Sequence, residues 1–222
     1  INTILPVRQF TEGLFVFMAT KLGTVKKVPL EAFGRPRSNG IIAVDLDEGD
    51  RLVGADITDG QADVMLFSDA GKVIRFEECL VRPMGRQARG VRGIRLENDQ
   101  SVISLVVAKP EGTILTATEF GYGKRTDVNE YRKTGRGGQG VISIQVNERN
   151  GKVVRALYVN ETDEVMLITD QGTLVRFKVN ELSIIGRNTQ GVRLINVKAG
   201  ETVVGMQSIE EPPVNPDKDE IE

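Results

Sequence analysis

Four glycines of this sequence, Gly23, Gly71, Gly121 and Gly172, are each followed four positions later by a cation: Lys27, Arg75, Arg125 and Arg176. Lys26 and Lys124 add charge one position earlier. A second basic group precedes each of four further glycines: Arg35 and Arg37, then Arg82, Arg86 and Arg89, then Arg132, Lys133 and Arg136, and finally Arg187. Cations that return in alignment columns present charge at one height and radius of a repeated unit, which suits a polyanion and not a bond-breaking reaction. The expected partner is curved duplex DNA. A duplex is stiff over ~150 base pairs, so bending it needs many phosphate contacts, and such contacts carry no base information. The expected contact residues are Lys26, Lys27, Arg35, Arg37, Arg75, Arg86, Arg89, Lys124, Arg125, Arg132, Lys133, Arg136, Arg176 and Arg187. The competing reading is that these side chains cap strands and pair with Asp and Glu of neighbouring units.

Other chemistry finds little support. The chain has no histidine, which removes the usual general base, the commonest metal ligand and any histidine-dependent triad. Gly135-Arg136-Gly137-Gly138-Gln139-Gly140 matches G-x-G-x-x-G, but Val141-Ile142-Ser143-Ile144 after it reads as a strand where a dinucleotide site needs a helix. No phosphate-binding GxxxxGK[ST] sequence is present. Tyr122, Tyr131 and Tyr158 lack an accompanying acidic cluster and fit strand or loop packing. The pairs Asp45/Asp47 and Asp56/Asp59 lie at strand ends, where turn roles predominate. No catalytic residue, metal site or cofactor is expected in this chain.

The elements that must carry the cations are strands in a tandem repeat. Gly40, Gly90, Gly140 and Gly191 lie 50, 50 and 51 residues apart. Each unit reads as four short strands, the size of one propeller blade. In the second unit these are Leu52–Ile57, Asp63–Ser68, Lys72–Phe76 and Val91–Leu96, rich in Val, Ile, Leu and Phe and bounded by Gly and Asp. Helical signals are limited to single turns at Glu77–Leu80 and Asn180–Leu182. The fold class is all-β, a propeller-like array of about four to five four-stranded blades. Repeats run over about 1–50, 51–100, 101–150 and 151–200. The chain opens with a first-strand sequence, Thr3–Val7, and Thr202–Gln207 near its end resembles another with no hairpin after it. A lone strand over 201–209 must pair somewhere, so blades are expected to exchange strands.

The 222 residues carry a net charge of −2, unevenly placed. Residues 210–222 hold −5 and the body before them +3. The last stretch, with Pro212-Pro213, reads as a disordered acidic tail, either solubilising or folding over the basic rim in competition with DNA. A single cysteine, Cys79, suits a reducing cytoplasm. No apolar run approaches a membrane span, so no membrane partner is expected.

Several stretches together closely resemble the C-terminal domain of the bacterial DNA gyrase A protein. They include Phe15–Thr20, Gly23–Lys27, Val64–Ser68, Gly90–Leu96, Ile114–Thr118, Gly121–Thr126 and Ile185–Val192, and the resemblance covers about 1–209. It implies a β-pinwheel, a disc whose blades swap strands and whose basic rim wraps DNA. It also implies an A2B2 holoenzyme with the gyrase B protein that uses ATP and magnesium to introduce negative supercoils, in the cytoplasm and at the nucleoid. The related domain of the topoisomerase IV A protein is the nearest alternative, and a protein-interaction propeller is the other. The family's Q-R-R-G-G-x-G box has no intact copy. The nearest stretch, Thr134–Gly140, keeps Arg136, Gly137, Gly138 and Gly140 but lacks the glutamine and first arginine. Family domains hold about six blades, so a first blade carrying the box is expected to precede this stretch, unless the box has moved. The cleavage tyrosine and ATPase are expected outside it, leaving the stretch itself catalytically inert.

Overall fold

The computed structural model describes residues 3–209, so the acidic tail read from 210–222 lies outside the described residues. In chain order the strands are β1 Phe15–Thr20, β2 Thr24–Pro29, β3 Leu52–Thr58, β4 Asp63–Ser68, β5 Lys72–Glu77, β6 Val91–Arg92, β7 Val102–Ala108, β8 Thr113–Thr118, β9 Tyr122–Asp127, β10 Val141–Ile142, β11 Val153–Val159, β12 Glu164–Thr169, β13 Leu174–Lys178, β14 Val192–Arg193 and β15 Val203–Ile209. They form four antiparallel sheets, ordered β3-β1-β2-β6, β7-β4-β5-β10, β11-β8-β9-β14 and β15-β12-β13.

Each sheet is built on a hairpin whose tip closes with an i→i+3 bond, for example Gly71 N to Ser68 O at 3.1 Å. Gly71 occupies a left-handed conformation, φ +76°, which the loop requires and glycine supplies without strain. Both edge strands of a sheet come from the following repeat. Thus β3 pairs with β1 and β6 with β2, although β3 and β6 belong to the second repeat and β1 and β2 to the first. The strand Val203–Ile209 takes the edge place in the last sheet, antiparallel to β12.

The fourth strand is shorter than its apolar run suggests. Val91–Leu96 contributes only Val91–Arg92, because the Gly93 and Ile94 amides both donate to Gly23 O, turning the chain inward and burying Ile94. The same pair of bonds, from Ser143 and Ile144 to Gly71 O, ends β10 after Ile142. The stretch Thr3–Val7, expected as a strand, is irregular. Leu5 and Val7 pack instead with Val16, Met18, Val28 and Leu30 on the outer face of the first sheet.

The main cores lie between consecutive sheets. Phe17, Ala19 and Val25 of the first meet Val64, Leu66, Ile74 and Phe76 of the second. Met65, Phe67 and Val73 meet Ile114, Val128 and Tyr131, and Leu115 and Ala117 meet Val165 and Leu167. A hairpin strand such as Val64–Ser68 is therefore apolar on both faces, and its run lacks the alternation of a half-exposed strand. One 3-10 turn follows each hairpin, at Leu30–Phe33, Glu78–Leu80, Val128–Glu130 and Val179–Glu181. The place of the last three beside the preceding hairpin decides what happens to the basic columns.

Candidate nucleic-acid interface

The first column is not a surface stripe. Lys27, Arg75 and Arg125 are buried, at 3%, 6% and 5% exposure, and each reaches the 3-10 turn of the next sheet. Lys27 Nζ donates to Glu78 O at 3.3 Å and sits 3.6 Å from the buried Glu78 carboxylate. Arg75 Nη1 donates to Val128 O and Tyr131 O at 2.8 and 3.1 Å, while its Nε and Nη2 hold Asp63 Oδ2 at 3.1 and 2.5 Å. Arg125 donates to Thr113 Oγ1 at 2.9 Å and to Val179 O and Leu182 O, both at 3.4 Å. These cations add a second donor to the first carbonyl of each turn, which already accepts the amide three residues on, and Arg75 and Arg125 also reach the carbonyl just past the turn, at Tyr131 and Leu182. Arg176, in the last sheet, is the exposed member of the column and pairs with Glu164. The expectation that Lys27, Arg75 and Arg125 face DNA is corrected: they staple one blade to the next.

Lys26 and Lys124 are corrected in the same way. Both are 1% exposed. Lys26 Nζ donates to Ala43 O at 2.9 Å and to Arg86 O, and Lys124 Nζ to Gly186 O at 2.9 Å and to Arg187 O. Each lysine anchors a basic loop from beneath. Burial pushes the Lys124 ammonium down to about 8, with the neighbouring Arg187 charge adding to the effect. Lys26 is lowered by the same burial, against the opposing pull of Asp45.

The second basic group does reach the surface, on the loops ahead of Gly40, Gly90, Gly140 and Gly191. Arg86, Arg136 and Arg187 each lie four residues before their glycine. Each donates to a carbonyl of the preceding loop: Arg86 to Ile42 O at 2.8 Å, Arg136 to Arg92 O at 3.1 Å and Arg187 to Ile142 O at 3.1 Å. These bonds join successive loops into a belt along one edge of the array. Arg35, Arg37, Arg82 and Arg132 project from it, exposed and with no carboxylate partner among the described residues. Arg89 is exposed but engaged by Asp45 and Asp47 at 3.2 and 3.0 Å, which gives that acidic pair its role. Lys133 reaches Asp63 and Glu77 at 3.0 and 3.5 Å, and these carboxylates raise its pKa.

The box-like loop is part of the belt. Arg136 Nε also donates to Leu80 O at 3.0 Å, Gly137 N to Gly93 O at 2.6 Å, and Gly138 O accepts from Arg95 N at 2.8 Å. Gly140 has φ +74° and backs onto the Val73 carbonyl. These contacts leave no cradle for a dinucleotide. Among the described residues no group of three or more Cys, Asp or Glu gathers as a metal site. Tyr131 is buried against Phe67 and bonded to Ser143 Oγ at 3.2 Å, and Tyr158 bonds Glu111 O. One surface group escaped the sequence reading: Arg149 from a loop and Arg193 from β14 close on Tyr122. Its signal was available, since Arg193 follows Gly191 by two as Arg92 follows Gly90.

The model of the DNA gyrase C-terminal domain, a beta-propeller, matches residues 15–59, 62–109, 112–160 and 163–210, one match for each hairpin and the edge strand that follows it. The DNA gyrase A protein of Klebsiella oxytoca is 59% identical over 221 residues, and that of Salmonella typhimurium 57% over 222. Both alignments take in all of this chain and 25% of the relative, so the chain spans about a quarter of their length. Among solved structures, a DNA gyrase A C-terminal domain superposes with a TM-score of 0.82 at 23% identity, covering 92% of this chain and 68% of that one. The C-terminal domain of a DNA topoisomerase IV gives 0.87 at 22%, covering 93% and 65%. At such identities these two likenesses speak for the fold. Four matched repeats, each registered on a hairpin of the structure, show that the chain belongs to the family of DNA gyrase C-terminal domains.

Proposed function

We propose that this chain binds and wraps duplex DNA along its belt of basic loops, as the DNA-wrapping part of a gyrase A protein. The observation that carries the reading is the set of exposed cations without carboxylate partners, Arg35, Arg37, Arg82 and Arg132, on loops fastened to one another by Arg86, Arg136 and Arg187. A protein spends buried lysines and inter-loop hydrogen bonds on such an arrangement when the loops must hold their spacing under load. Bending a duplex over successive loops replaces its elastic cost with phosphate contacts and leaves base identity unread. In this reading the chain supplies curvature and charge and no reacting group. It needs no cofactor of its own. Strand cleavage, ATP and magnesium belong to the rest of an A2B2 holoenzyme in the bacterial cytoplasm at the nucleoid, where the wrap biases strand passage toward negative supercoiling.

The test is binding to a duplex of about 40 base pairs across a salt series, with Arg35, Arg37, Arg82 and Arg132 changed to Glu. Steeply salt-dependent binding that the reversal abolishes is expected. Weak binding indifferent to the reversal would overturn the reading and favour a protein partner on the same edge.

A further inference from the structure

Tyr122 stands at the start of β9 with its ring 5% exposed, while Arg149 and Arg193, which close on it, are exposed. The guanidinium carbons lie 4.9 and 4.8 Å from the ring centroid. The phenol oxygen accepts from Arg149 Nε at 3.1 Å and from Arg193 Nη2 at 2.5 Å. Arg193 reaches Tyr122 as its cross-strand partner, and Arg149 comes from the loop between β10 and β11. Neither guanidinium pairs with a carboxylate among the described residues, and the other side-chain contact of Arg193 is the neutral Asn196 Oδ1 at 3.2 Å. Two cations on one ring repel each other, and the ring face and phenol oxygen offset only part of that cost. An anion between or beside them would supply the rest. The hydrogen bond from Arg149, and after it that from Arg193 and the two charges, hold the phenol below its ordinary pKa.

The trio is peculiar to the third sheet. The corresponding cross-strand pairs are Thr24 with Arg92 in the first sheet and Lys72 with Ile142 in the second. It also adjoins the belt, because Arg193 follows directly on the loop that carries Arg187 and ends at Gly191. We propose that Tyr122 is a positioning residue that fixes Arg149 and Arg193 as a paired anion-binding point, and that this point takes a phosphodiester of the duplex. The proposal rests on the DNA-wrapping reading and refines it. It makes one blade a fixed register mark on the track, with two pre-oriented forks in place of mobile surface charges.

The experiment is the salt series on a duplex of about 40 base pairs, using the full chain and four forms: unaltered, Tyr122→Phe, Arg149→Gln with Arg193→Gln, and all three changes. Removing both arginines should lower the slope of log affinity against log salt by about 0.9, the value for the one phosphate they share. Tyr122→Phe should weaken binding about fivefold, the worth of one hydrogen-bonding group, with its melting temperature held. In the background lacking both arginines it should change nothing. An equal loss from Tyr122→Phe in both backgrounds would mean that the tyrosine acts through the fold, and would overturn the proposal. So would an unchanged slope without the two arginines, if reversal of Arg35, Arg37, Arg82 and Arg132 still abolishes binding; the wrapping reading would then stand alone. Binding indifferent to both sets overturns the two together.

Discussion

At the residue scale, burial separates cations that sequence spacing cannot. Arg75 and Arg176 occupy the same place after their hairpin glycines, yet one is 6% exposed and the other is at the surface. Arg75→Ala would leave the Asp63 carboxylate with only Lys133 among the described residues and the Tyr131 carbonyl without its donor, and should destabilise by about 3 kcal/mol. Arg176→Ala should cost no more than about 1 kcal/mol, because its ion pair with Glu164 is open to water. Urea midpoints of the two variants measure the difference. Lys124 gives a pH signature. Its folded pKa of about 8 lies below the usual lysine value, so from pH 8 to about 10.5 the unfolded chain binds more protons than the folded one. Its contribution to stability should therefore rise with pH across that window and be smallest below pH 8. The stability of the unaltered chain relative to Lys124→Met, followed by chemical denaturation from pH 7 to 10, should climb accordingly.

At the element scale, the four-strand unit was legible, and the lone strand over 201–209 announced strand exchange between blades without saying which edges are exchanged. The runs Asp63–Ser68 and Lys72–Phe76 with Gly71 between them announce a hairpin, since β-branched and aromatic residues meet a turn that needs positive φ. Nothing local says that the edge strands belong to the preceding hairpin. That depends on the rim glycines, which let one chain lie against another sheet's backbone. Gly90 has φ +110°, and a Cβ there would stand 2.5 Å from Val25 O in the neighbouring hairpin. Gly40 has a similar left-handed backbone, φ +81°, with open space around it. Gly40→Ala should cost about 1 kcal/mol of backbone strain. Gly90→Ala adds a backbone collision that must displace β6, so its loss should be clearly larger. Thermal melts of the two variants, recorded side by side, decide this.

At the scale of the whole molecule, each sheet packs on its sequence neighbours and takes its edge strands from the following repeat, so curvature accumulates blade by blade. At the inner strand ends the amides of Val102, Val153 and Val203 donate to Lys21 O, Asp69 O and Glu119 O, each at 2.8–2.9 Å, which repeats one blade-to-blade joint three times. A polyanion following the opposite edge meets one basic loop per joint. If Arg35, Arg37, Arg82 and Arg132 each neutralise one phosphate, replacing all four by Gln should lower the salt slope by about 3.6, with the fold intact. A fall confined to one loop would mean that the duplex meets the array at a point and does not follow it.

By itself the sequence determined the number of units, their all-β character and the places where glycine lets the chain turn, because period, strand propensity and positive φ are local properties. It also supplied the cations in columns. Only the tertiary structure decided which of them keep their charge for a ligand. A column looks the same in sequence whether the next blade's turn closes over it or leaves it in water, and burial is set by that neighbour. Lys27, Arg75 and Arg125 are covered by the turns at Glu78–Leu80, Val128–Glu130 and Val179–Glu181. Arg35, Arg37, Arg82 and Arg132 and the arginine pair on Tyr122 stand outside that cover, where their unmatched charge faces solvent.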